Sequence, residues 1–383
     1  MVVTAADMRD AGVAVPILVG GAALTGKFTR TRIAPAYDGL VIYAKDAMNG
    51  LDLMNKLMDP AGRGELAARI AAEEAGAAAS AATPGGDGHP SAVRPAVRSA
   101  AVRTDLPIPP APDRERHALQ VRSLDEVWAY LNPQMLYGRH LGLRGDFERL
   151  LAAGDEKALA LHAAIETVKA ECRAGAMQVR VVWQFFTAES AGNDLLIFAR
   201  PGDGEPAARI TFPRQEKEPG LAIPDFVLPA RDGVRDHIAL IVTTAGAGIR
   251  ARAEEAKARG EYVRSHALAA LALETAEAAA EWLHARLRNL WGFPDPPETT
   301  MRDRFRAHYR GKRYSFGYPA CPELADQATL FRLLEPADIG VDLTDGFMMD
   351  PEASVSALVF HHPDAVYFSA GASEPAATAA TAE

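Results

Sequence analysis

The sequence predicts an α+β domain of mixed or antiparallel sheet with long helices, preceded by a partial α/β, Rossmann-like segment. Three observations carry the prediction. Over residues 1–60, short and wholly apolar runs alternate with helical patterns, as expected for a parallel sheet covered on both faces. From about residue 113, strand alternation and hairpin chemistry are followed by a long Ala-rich helical run. Between them, residues 61–112 are rich in Ala, Gly, Pro and Arg and poor in large apolar side chains. A chain of 383 residues leaves room for two or three folding units.

Taken in order, Ala5 to Gly12 reads as the end of a helix and Val15-Pro16-Ile17-Leu18-Val19 as a short strand closed by Gly20-Gly21. A helix through about Ile33 follows, then a strand Gly39 to Tyr43 and a helix Asp46 to Met58 with Leu51, Met54, Leu57 and Met58 at helical spacing. Two strands do not make a sheet that stands alone, so this segment docks elsewhere or ends a larger doubly wound domain. Residues 61–112 bury too little to offset the entropy of ordering and read as a flexible linker. Arg94, Arg98 and Arg103 there read as a solvated tail in preference to a docking strip. Beyond 113, Ser123-Leu124-Asp125-Glu126 looks like a helix start, with Ser at the cap and acids in the first turn. Ala152 to Ala174 reads as a helix, Met177 to Phe186 as a strand, and Asp194 to Ala199 with Ala208 to Phe212 as a hairpin across Pro201-Gly202-Asp203-Gly204. His237 to Thr244 is a further strand, Arg250 to Leu290 a long helix breakable near Gly260, and Val355 to Phe360 and Val366 to Phe368 short final strands. The Ala/Thr/Glu-rich end, 371–383, is expected to be disordered.

Charge and cysteine content narrow the function classes. A net charge of -9 argues against general nucleic-acid or membrane-surface binding. Two cysteines, Cys172 and Cys321, are too few for a disulfide framework or a Cys-based zinc site and fit a reducing cytoplasm. No apolar run reaches membrane-spanning length, so a cytoplasmic protein without membrane or nucleic-acid partners is expected.

The stretch from Arg310 to Pro322 sets three cations beside two tyrosines, a phenylalanine and two prolines. Its prolines predict a rigid, non-helical loop. Such a loop suits a ligand that is both a carboxylate and a flat heterocycle, since Arg offers a bidentate fork. It is also consistent with a stiff surface loop whose arginines are merely solvated. His361-His362 could suggest a metal, but adjacent strand residues face opposite ways, and a structural or solvated role is the preferred reading. Cys321 reads as a buried packing thiol and not as a nucleophile. No catalytic residue and no metal ligand is assigned.

The order of residues adds a resemblance. Arg313-x-x-x-Gly317-Tyr318-Pro319-Ala320-Cys321-Pro322 resembles the R-x-x-x-G-Y signature with which the activation domain of cobalamin-dependent methionine synthase binds S-adenosylmethionine. Trp282-Leu283-His284, Leu343 to Met349, Pro351 to Ser356, and His361, Pro363 and Tyr367 resemble further blocks of that family, over about 113–370. Val15 to Ala22 and Tyr43 to Ala47 resemble the last two strands of the family's cobalamin-binding domain.

The resemblance implies roles for particular residues. Arg313 would pair with the S-adenosylmethionine carboxylate and Gly317 would let the backbone approach. Tyr318, Pro319 and Ala320 would line the site. Tyr367 and Phe368 would contact the ligand, and Asn132 stands where some members hold an Asp against its amino group. Leu324 replaces a histidine that some members carry. Gly20 and Gly21 would lie near the cobalamin tail and Ala47 against the cofactor. The family's Asp-x-His-x-x-Gly motif is not in this sequence, so the cobalt ligand is expected on another chain or segment. What is implied is the C-terminal part of a methyltransferase that rebuilds methylcobalamin from cob(II)alamin. The expected partners are the remainder of methionine synthase or a cobalamin-domain subunit, and a flavodoxin-like electron donor. The alternative is a non-catalytic S-adenosylmethionine sensor, an interaction subunit or a truncated relic.

Overall fold

A computed structural model describes residues 2–20, 26–44, 47–59, 62–64, 66, 69–70, 97–200, 202–230 and 233–370. They fall in two units, 1–93 and 94–383. In the first, a helix Val2–Asp10 precedes strand β1, Ile17–Gly20, and strand β2, Val41–Ala44. The strands pair in parallel from Ile17 opposite Val41 to Gly20 opposite Ala44. Both faces are covered, which is why the strands are apolar throughout. Ala5, Val19, Ile33, Tyr37 and Val41 pack on one side, and Ile42, Ala44, Leu53, Leu57 and Leu66 on the other. Gly20 is required by close approach, because a Cβ there would sit 2.5 Å from the Ala44 carbonyl oxygen.

The helix of this unit, Ala47–Met58, corrects the expected stripe. Leu53 and Leu57 face the strands, whereas Leu51, Met54 and Met58 are exposed. The helix carries two apolar stripes at 3–4 spacing, and the sequence pattern alone does not say which one packs. Gly21 lies outside the described residues, as does the Ala47 side chain.

The second unit is built on one antiparallel sheet. Its strands are β3 (His117–Gln120), β4 (Arg180–Ala191), β5 (Asp194–Phe198), β6 (Ala208–Thr211), β7 (Asp236–Thr244) and β8 (Lys312–Tyr314). A small hairpin, β9 (Asp342–Leu343) and β10 (Met349–Asp350), precedes β11, Ser354–Phe360. The order is β6-β5-β4-β7-β11-β8, with β3 against the first half of β4. Every residue of β7 and β11 is buried. Phe185, Ile241 and Val359 point to a helical layer, while Phe186, Leu240 and Leu358 point into a second core on the opposite face. The helical layer is dominated by the 29-residue helix Tyr262–Leu290, hereafter the long helix. It is separated from a helix Ile249–Ala258 at Gly260, which lies in the left-handed region at φ +79°.

Several expectations needed correction. The helix expected from residue 152 starts at Glu156, capped by Asp155 accepting from the Ala158 N–H at 2.9 Å, and runs through Glu171 into a π-helical turn, Cys172–Ala176. Ala152 instead ends a separate short helix, Phe147–Ala152. Residues 366–368 form no strand. The loop read over 310–322 begins as a three-residue edge strand, β8, paired with β11. Edge position tolerates the flanking glycine and prolines that suggested a loop.

The linker also differs from the expected solvated tail from residue 97 onward. The Arg98 guanidinium donates to the Asp225 carbonyl (2.5 Å), the Ser190 hydroxyl (2.7 Å) and the Val227 carbonyl. Val102 is buried, and the Arg103 side chain clasps Asp364 at 2.5–3.2 Å. Burial and burial-dependent hydrogen bonds thus order a segment whose composition alone suggests disorder. Arg94 lies outside the described residues.

Candidate ligand-binding site

Strand β8 and the turn after it bring the signature residues to one place. Arg313 lies opposite Val359 of β11, at the sheet edge beside the long helix. Gly317 turns the chain at φ +85°, and its N–H donates to the Cys321 carbonyl at 2.9 Å. The turn is pinned on several sides. Tyr314 Oη donates to the Val366 carbonyl at 2.6 Å, Cys321 Sγ to the Ser315 carbonyl at 2.7 Å, and the Ala370 N–H to the Pro319 carbonyl at 3.0 Å. Cys321 is buried, and burial pushes its thiol up to about 12, which leaves it without thiolate character at neutral pH.

Two adjoining cavities open at this edge. Arg313, Tyr318, Pro319, Ala320, Tyr367 and Phe368 line the first, of about 530 Å³, together with Glu277. The second, of about 630 Å³, shares Arg313, Tyr318, Tyr367 and Glu277 and reaches Asn132 and Arg139. Both volumes suit a small-molecule ligand. Gly317 lines neither cavity and acts through the turn. Asn132 Oδ1 accepts from the Gln134 N–H at 3.0 Å, so its oxygen already caps the following helical turn.

Gly317→Ala is expected to cost about 1–2 kcal/mol, because its φ is unfavourable for an L side chain. The added Cβ would also sit 3.3 Å from Leu324 Cδ1. A lowered Tm is the readout; an unchanged Tm would show that the turn relaxes without strain.

The sequence reading missed the acidic wall opposite. Glu274, Glu277 and Glu281 of the long helix all line the second cavity. Their 3–4 spacing within an Ala-rich run was the available signal. Glu281 pairs with Arg313 and accepts from Tyr309 Oη at 3.0 Å. Burial raises the Glu274 carboxyl, opposed by His140 Nε2 at 2.8 Å. Beneath the cavity, burial first and then Arg288, Arg313 and Lys312 hold His284 well below its ordinary value, in the neutral form.

Lys312 lies in the same layer, its ammonium donating to the Tyr309 and Gly311 carbonyls at 2.7 and 2.9 Å. Burial, reinforced by Arg288 and opposed by Glu281, nevertheless lowers it from 10.5 to about 8. Between those values the unfolded chain binds more protons at this group, so its contribution to stability rises with pH. A series of Tm measurements should therefore show wild type gaining on Lys312→Met between pH 8 and 10.5. A constant difference would mean that the two carbonyls offset desolvation.

His361 and His362 are buried. His361 Nε2 lies 2.7 Å from Asp236 Oδ1 and His362 Nε2 2.9 Å from the Arg103 carbonyl. Among the described residues no group of three His, Cys, Asp or Glu could hold a metal. None of their helices is long and apolar enough to cross a membrane.

An edge strand and a pinned turn facing an acidic helix across a ligand-sized cavity define a small-molecule-binding α+β module. Residues 123–377 match the family described as vitamin B12 dependent methionine synthase, activation domain, and the chain belongs to that family. Methionine synthase of Mycobacterium tuberculosis (strain ATCC 25618 / H37Rv) is 32% identical over 395 residues, covering 94% of this chain and 33% of the relative. Methionine synthase of Mycobacterium leprae (strain TN) is 31% identical over 398 residues, covering 94% and 32%. The chain thus spans about a third of the length of these relatives. The crystal structure of the MetH reactivation domain bound to AdoHcy superposes with a TM-score of 0.64 at 28% identity, over 70% of this chain and 84% of that one.

Proposed function

We propose that this chain is the S-adenosylmethionine-binding reactivation part of a cobalamin-dependent methionine synthase. The observation that carries the reading is a guanidinium, Arg313, and the side chains of Tyr318, Pro319, Tyr367 and Phe368 around one cavity. That arrangement matches a ligand with a carboxylate at one end and a heterocycle at the other. The similar reactivation domain, solved with AdoHcy, supports it. Arg313 binds the carboxylate, the Gly317 turn presents Tyr318, Pro319 and Ala320, and Tyr367 and Phe368 close the wall. Asn132 faces the amino end from the second cavity.

Cobalamin, when bound, supplies the acceptor for the methyl group together with one electron from a donor. Gly20 is accounted for by strand approach; Gly20 and Gly21 remain proposed neighbours of its tail, and Ala47 a proposed contact to the cofactor. The work of this chain's own residues is positioning, holding the ligand so that its methyl is presented in one direction. The partners proposed are the rest of methionine synthase, on the same or another chain, and a flavodoxin-like donor, in the cytoplasm. Calorimetric titration of the full chain with S-adenosylmethionine and S-adenosylhomocysteine tests the reading, and absence of binding of either would overturn it. With binding established, the cobalamin spectrum of a mixture with a cobalamin domain under reduction tests methyl transfer.

A further inference from the structure

We propose that Glu281 is a positioning residue that aims the Arg313 guanidinium at the ligand's carboxylate. The proposal rests on the reading that this cavity takes S-adenosylmethionine and concerns only the carboxylate end. The Glu281 side chain is 8% exposed and that of Arg313 is 17% exposed, so the acid is enclosed while the base reaches the cavity. Arg313 is engaged through Nη1 alone, by Glu281 Oε2 and by Tyr309 Oη at 3.3 Å. Its Nε and Nη2 have no partner among the described residues. Those two nitrogens form one edge of the fork, the geometry a carboxylate accepts in bidentate fashion.

Glu281 is itself fixed. Tyr309 Oη donates to it at 3.0 Å, and Arg288 Nη2 lies 3.6 Å from its other oxygen. Arg288 in turn is locked by Asp295 at 2.6 and 2.7 Å. The chain of contacts therefore runs from a buried ion pair through Glu281 to the atom that sets the orientation of Arg313. Without Glu281, a competing acceptor is at hand. Glu277 lines both cavities and acts electrostatically on Arg313, so a released guanidinium can turn its fork onto a protein carboxylate. Binding would then bear the cost of ordering a long side chain that is now held in place beforehand.

An opposing effect has to be separated. Removing a negative charge next to Arg313 raises the local positive potential, which by itself favours an anionic ligand. Two variants divide the effects, because Glu281→Leu removes charge and acceptor whereas Glu281→Gln keeps an acceptor for Nη1 and Tyr309 Oη. The measurement is calorimetric affinity of the full chain for S-adenosylmethionine and for its decarboxylated form. Glu281→Leu should weaken S-adenosylmethionine about tenfold, the equivalent of one charge-assisted hydrogen bond, and change the decarboxylated ligand by less than about twofold. Glu281→Gln should recover most of the loss. Equal weakening of both ligands, or tighter binding of S-adenosylmethionine by the Leu variant, overturns the proposal and leaves the assignment of the cavity standing. If Glu281→Leu does not fold, Tyr309→Phe removes a contact to both Glu281 and Arg313, and a smaller loss confined to the carboxylate ligand is expected. No such selectivity would again overturn it. Wild type that binds no S-adenosylmethionine would overturn the functional reading itself, and this inference with it.

Discussion

Arg313→Ala should weaken S-adenosylmethionine binding by about a hundredfold. Two charge-assisted hydrogen bonds to a carboxylate contribute roughly 3 kcal/mol together, and about 1.4 kcal/mol corresponds to each tenfold. Arg313→Lys should restore little, because an ammonium is a point charge without the planar fork. The truncation also has a structural effect, since Glu281 is left with Tyr309 Oη at 3.0 Å and Arg288 at 3.6 Å as its partners. Affinity must therefore be measured well below the Tm of the variant, with circular dichroism confirming the fold. A loss shared equally by the decarboxylated ligand would move the carboxylate contact away from Arg313. An unchanged affinity would remove Arg313 from the site altogether.

The site was legible in the sequence where its parts are neighbours in the chain. Arg313, Tyr318, Pro319 and Ala320 lie within one strand and turn, so a single contiguous motif of the family resemblance named them together, where glycine and proline alone gave only a stiff loop. Tyr367 and Phe368 came only from the family resemblance, because their place depends on the 361–370 segment folding back, with Tyr314 Oη bonded to the Val366 carbonyl. Glu281 was hidden for a different reason. An acid in an Ala-rich helix reads as a solvated face by default, and only packing against the sheet edge buries it. The sheet itself was mostly legible from alternation. The long apolar β7 gave no face to choose, because both of its faces are covered. Least legible was the segment from residue 97, whose partners Asp225 and Asp364 lie 126 and 261 residues away.

That segment leads to the largest expected effect on stability. Asp225→Ala should cost about 3–5 kcal/mol, the range for removing one partner of a buried ion pair. The Asp225 side chain is 1% exposed and that of its partner Arg214 is 5% exposed, with the two joined by bonds of 2.6 and 2.8 Å. The same carboxylate accepts from the Ala222 N–H at 3.0 Å and the Ser99 N–H at 3.3 Å. Truncation would thus strand a buried guanidinium and loosen the point where residues 97–104 dock. Arg214 keeps Gly220 O at 2.7 Å and Asn193 Oδ1 at 2.9 Å, neutral acceptors that solvate its charge less well than a carboxylate. Asp225→Asn, which keeps acceptor and shape but not charge, should cost less than the Ala variant. Urea denaturation of the full chain gives the free energies, and hydrogen exchange over 97–104 reports whether the docking loosens with them. A cost under about 1 kcal/mol for Asp225→Ala, within the range of an exposed pair, would mean that the neutral acceptors suffice and that the pair serves placement of the chain more than stability.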